Sequence, residues 1–166
     1  MWNEIYKREV VGDIFFEKGK TNEGEFWTYQ IFGQARQVAR IDIPLYYYFQ
    51  RETSIMGVEY NIKRLDAIEA KANRQEYIES RFSELAAVAK VNLIGSCIYA
   101  GQMSILHMDK ITQKMARNII DMVRERHALS VGEMKNISFS SKVWLMMSKV
   151  SFWGTCRLKN LLKKGL

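Results

Sequence analysis

The sequence predicts an α+β fold dominated by helix. Three observations lead there. Residues 38–49 are rich in β-branched and aromatic side chains and are punctuated only by Pro44, a composition that suits strands. From about residue 56 onward, apolar residues recur instead at helical intervals, so that one face of each helix is apolar. The chain has 166 residues and a single proline, which leaves those helices uninterrupted.

Taken in order, residues 2–10 read as a short strand or extended piece leading to Gly12. Asn22 is a helix N-cap candidate, and Glu25 three residues on completes a capping-box-like pattern. The helix that follows runs to about Ala35. Residues 38–42 and 43–49 read as two strands with a kink at Pro44. Residues 56–81 turn helical, with Leu65, Ile68 and Ala72 on one face. Residues 82–107 form a second, more apolar helix. The uncharged run 91–108 contains Asn92, Ser96, Gln102 and Ser104. That is too polar for a bilayer-crossing helix of ~20 apolar residues, so it reads as a buried core helix. Asp109 can cap a third helix, in which Ile111, Met115, Ile119 and Met122 recur at helical spacing. Residues 129–136 form a loop, and Ser140 or Ser141 opens a fourth helix.

Composition narrows the function classes. Hydrophobic residues make up 48% of the chain, enough for a packed core. Two cysteines, Cys97 and Cys156, make neither a disulfide framework nor a metal cluster and suit a reducing compartment. His107 and His127 stand apart, so no zinc site is expected. The N-terminal Trp2-Asn3-Glu4 is polar, unlike a signal peptide. Seven of the 25 basic residues and none of the 18 acidic ones follow Glu133. The net charge of +7 therefore belongs to the tail, and the first 133 residues are neutral. A local anionic partner fits that distribution. Nucleic acid does not, because no recognition motif accompanies it.

Residues 19–55 carry the most specific pattern. Gly19 is followed by Glu23 at the start of a helix over residues 26–35, then by the strand 38–42, then by Pro44-Leu45-Tyr46-Tyr47-Tyr48, and then by Arg51 and Ser54. Upstream stands Trp2-Asn3-Glu4-Ile5-Tyr6-Lys7-Arg8. In this order and spacing the chain resembles bacterial family 2 glycosyltransferases, which build cell-surface polysaccharide from nucleotide-sugars, and the resemblance covers about residues 1–80. It implies the C-terminal portion of a GT-A-type, Rossmann-like fold followed by a helical extension. On that division residues 1–55 are the catalytic remnant, residues 56–136 are helices packed on it, and residues 137–166 are a basic amphipathic tail.

The resemblance also shows what is missing. Complete relatives hold a divalent metal, Mg or Mn, with an Asp-x-Asp motif, because the diphosphate leaving group needs its charge neutralised. Here the five aspartates Asp13, Asp42, Asp66, Asp109 and Asp121 stand singly, so no cofactor is expected in this chain. The family's acidic pair ends in the Asp that serves as general base. Here the pair reads Glu23-Gly24, and glycine cannot reach an acceptor proton. Glu25 is adjacent on another side of the helix, and Glu23 keeps a supporting role. Arg51 and Ser54 lie where the family's loop closes on the donor phosphates; the alternative is a solvated turn with Ser54 capping the next helix. Tyr46 and Tyr48 lie on the acceptor side, or are ordinary strand packing. The expectation is a transferase-like chain that lacks its nucleotide-sugar-binding half and is inactive alone. A separate donor-binding chain would be its partner. Nucleotide-sugar and a saccharide or lipid-linked acceptor belong to complete relatives.

The tail supports a different class of function, a non-catalytic interaction or membrane-docking module. Phe139, Val143, Met146, Val150 and Trp153 recur along one helix, with Trp144 and Met147 adjoining and with Lys142 and Lys149 off the stripe. Aromatics and lysines beside an apolar face suit an interfacial helix on an anionic bilayer. The alternative is a helix covering its own core. The expected location is cytoplasmic, at the inner face of the cell membrane.

Overall fold

The computed structural model describes residues 4–47, 49, 60–135 and 137–165. The chain divides into two compact units, Met1–Glu59 and Tyr60–Leu166.

In the first unit, α1 is a single turn, Arg8–Val11, and α2 spans Glu23–Gln34. Its small core forms around Trp27. The Trp27 indole donates to the Ile14 carbonyl at 3.0 Å, Phe16 stacks on the ring at 4.8 Å, and Tyr6 meets it edge-on at 5.0 Å. Phe26 and Ile31 of α2 are buried beside it. Asn22 holds the N-cap position in a left-handed conformation, φ 58°, and makes no side-chain cap. The Asn22 side-chain half of the capping-box pattern is not formed; the Glu25 amide bonds the Asn22 carbonyl at 2.8 Å.

The expected α+β class is wrong: the described residues are helical, with no strand and no sheet. Residues 8–11 are helical rather than extended. Residues 38–47 form no strand ladder with another described residue, and Ile41, Ile43 and Leu45 stand 64–74% exposed. β-propensity is mostly a propensity for packing on a pleated surface. Without a neighbouring strand to complete the ladder and bury one face, such a segment has no sheet to join. A Rossmann-like GT-A remnant is therefore excluded as the fold of these residues.

The second unit is a helical bundle. A 3₁₀ turn, Ile62–Leu65, leads into α3, Asp66–Arg81; a second turn, Ser83–Leu85, leads into α4, Ala86–His107. Next come α5, Lys110–Arg126, a short 3₁₀ turn, Gly132–Met134, α6, Phe139–Val150, and α7, Phe152–Leu161. The long apolar α4 is the hub and packs on α3, α5, α6 and α7. Leu93, Ile94, Cys97, Ile98 and Ala100 of α4 lie in the core with Leu65, Ile68 and Ala72, the α3 face legible from spacing. Asp109 caps α5 by accepting from the Ile111 and Thr112 amides at 2.8 and 3.1 Å. Ser138, two or three residues before the expected position, caps α6 through the Ser141 amide at 3.2 Å.

Polar ties fix how the helices meet. Lys71 bonds Ser96, and Arg74 bonds Asn92, each at 2.8 Å between α3 and α4. Arg126 pairs with Glu76 at 2.9 Å. The α4–α7 approach is close because Gly101 has no side chain. A Cβ there would lie 2.7 Å from the Cys156 sulfur and 3.2 Å from the Phe152 ring.

Candidate functional site

Two places were marked by the sequence, and the structure treats them differently. At the first, Glu23 and Glu25 both lie in the first turn of α2, where the helix dipole favours carboxylates. Glu23 edges an open hollow of about 400 Å³ lined by Phe16, Gly19, Lys20, Thr21 and Asn22. Gly24, between the two glutamates, carries no side chain. Tyr46 is 54% exposed in the unpaired segment. Tyr48, Arg51 and Ser54 lie outside the described residues. Among the described residues no three His, Cys, Asp or Glu side chains converge as a metal site. The two thiols offer no nucleophile either: burial pushes Cys97 and Cys156 up to about 12.

At the second place, the tail is two helices rather than one. Ser151 adopts extended geometry, φ −149° and ψ 99°, between α6 and α7. The break separates Trp153 from the stripe it was grouped with. Its indole donates to the Asp121 carboxylate at 3.2 Å, and the Arg117 guanidinium lies 4.4 Å over its ring. Trp153 thus joins α7 to α5 rather than facing outward. Trp144 is half-buried with the Lys159 ammonium 5.4 Å from its ring. Burial, opposed by Cys156, lowers the Lys159 pKa.

The rest of the stripe points outward. Leu145 and Ser148 are the buried residues of α6. Phe139 and Val150 are 82% and 90% exposed at the two ends of the opposite face, with Val143 and Met146 between them. Lys142 and Lys149 fall along one edge of that face by helical spacing. Lys142 donates to the Lys135 carbonyl at 3.1 Å and Lys149 to the Leu129 carbonyl at 3.0 Å. An ammonium has three donors, so each lysine keeps donors for another acceptor while its position is fixed. Two further outward apolar residues on α5, Ile111 and Met122, are 77% and 63% exposed. Their spacing was legible, but its direction was not.

Compared with known proteins, the chain matches no family model, no curated protein and no solved structure. No helix of the described residues is long and apolar enough to cross a membrane. The functional reading therefore rests on the surface itself.

Proposed function

We propose that this chain is a non-catalytic helical module that docks on an anionic bilayer surface through the outer face of α6. The observation that carries the reading is the outward stripe Phe139, Val143, Met146 and Val150 on a well-packed helix. Lysines at its edge and a tail without acidic residues after Glu133 supply the charge. Apolar contact contributes about 25 cal/mol per Å² removed from water, and each juxtamembrane Lys or Arg adds about 1 kcal/mol on an anionic leaflet. In a cell this places the chain at the inner, cytoplasmic face of the membrane. The test is flotation of the whole chain with vesicles of anionic or neutral lipid. Wild type floats with anionic vesicles, and F139E/V150E stays behind. Equal partitioning of the two proteins removes the reading.

A second reading is favoured by one feature: α2 opens at Glu23 beside the hollow, at the position the transferase resemblance assigns. On that reading the chain is a relative of nucleotide-sugar transferases with no transfer chemistry of its own. Purified protein then turns over no nucleotide-sugar; observed turnover would sink it.

A further inference from the structure

α5 carries two apolar faces. One is spent on the core, where Ala116, Ile120 and Val123 are buried. The other runs through Ile111, Met115 and Met122, with the polar Asn118 completing a spacing of three or four, and all four are exposed. A stripe of this spacing is the seam by which a helix pairs with another helix. Beside it, on a single edge by helical spacing, lie Lys110, Lys114, Asp121 and Glu125.

The centres of these two rows lie half a residue to either side of Arg117. Reversed about the midpoint of residues 116 and 117, the outer row maps onto itself: Ile111 falls opposite Met122, and Met115 opposite Asn118. The charged row, reversed about the same turn, sets Lys110 opposite Glu125 and Lys114 opposite Asp121. Basic residues occupy the N-terminal half and acidic ones the C-terminal half, so the edge complements itself when two helices run antiparallel. A two-fold contact requires a surface that is its own partner, and the order of charges along this face suits that requirement.

The remaining cations of α5 are drawn off the face. Arg117, which sits on the axis, stacks over Trp153 at 4.4 Å. Arg124 lies 3.7 Å over Phe152 and pairs with Asp121, and Arg126 pairs with Glu76. Lys110, Lys114 and Glu125 make no ion pair with another described residue. Asp121 Oδ2 accepts only the Trp153 indole, which leaves room for an ammonium.

We propose that α5 is a homodimer interface, pairing antiparallel with α5 of a second copy about a two-fold axis at Arg117. This does not rest on the bilayer reading, which uses α6. The test is sedimentation velocity of the full chain over a range of concentrations, with circular dichroism to check that each variant stays folded. Wild type is expected to show a concentration-dependent dimer, and Met115→Lys to remain monomeric with unchanged helicity. Lys110→Glu sets like charges opposite each other twice per dimer and weakens association by roughly tenfold. Glu125→Lys acts likewise, and the double variant K110E/E125K restores dimerisation. A wild-type monomer at every concentration overturns the proposal. So does a dimer indifferent to Met115→Lys, or a double variant no better than the singles. Loss of vesicle flotation in Met115→Lys without any change in mass would assign α5 to the bilayer and overturn it too.

Discussion

Single residues show where the bundle is tight and where it is compromised. Gly101 is needed for contact rather than for turning, because Cys156, Phe152 and Trp153 already fill the space a methyl would take. Gly101→Ala should lower stability by about 1–3 kcal/mol, read as a fall in the urea midpoint at unchanged slope. Gln75 is the opposite case. It is fully buried, and neither its amide nitrogen nor its oxygen has a partner among the described residues. A buried unpartnered amide costs about 1–3 kcal/mol. Gln75→Leu should therefore raise the melting temperature, and a lowered one would mean that the amide has a partner.

Acid should weaken the fold through three residues acting in the same direction. His127 is nine-tenths or more enclosed, and desolvation, opposed mainly by Glu76, holds its pKa below the ordinary imidazole value. Burial raises the Glu133 pKa, but bonds from Lys90 and Ser130 outweigh it and the net shift is downward. Asp109 is lowered by the Thr112 hydroxyl and by the α5 amides it caps. Each folded pKa lies below its unfolded counterpart. The stability these groups contribute is thus complete above the unfolded values and is lost as pH falls through the folded ones. Thermal melts should fall first as His127 takes up a proton, just below the ordinary imidazole range, and again in the carboxylate range. His127→Gln should remove the first step alone.

At the scale of elements, α6 offers a direct check on which face looks inward. Leu145 is buried and Val150 is 90% exposed. Leu145→Ala should cost about 2–5 kcal/mol, whereas Val150→Ala should stay within about 0.5 kcal/mol. The reverse order would mean that the stripe through Val150 covers the core. The helices themselves were legible because their signals are local. Asp109 caps α5 through its own next three residues, and Leu65, Ile68 and Ala72 announce one face by spacing alone. The orientation of α5 and α6 was not legible, because each has apolar residues on two sides and spacing ranks neither. On α5 the buried side is built from Ala116, Ile120 and Val123, and Met115 and Met122 are left outside. The larger side chains lie on the outer face, since a close helix approach selects for fit rather than size.

For the whole molecule, the described members of the main core cluster all come from residues 60 onward. The chain cut to residues 60–166 should therefore fold alone, with a single cooperative unfolding transition and helical circular dichroism. A non-cooperative melt of that fragment would show that the bundle depends on the preceding unit. By itself the sequence determined the helices of the second unit, the long buried α4, the Asp109 cap and the basic tail. All of these follow from neighbours within a few residues along the chain. Tertiary structure alone decided that residues 38–47 make no sheet, that Ser151 divides the tail, that Trp153 turns to Asp121, and that α5 and α6 present apolar faces outward. A strand needs a second strand to satisfy its backbone, and a two-faced helix needs a neighbour to choose between its faces. Neither partner is named in the segment that needs it, so both outcomes follow from packing.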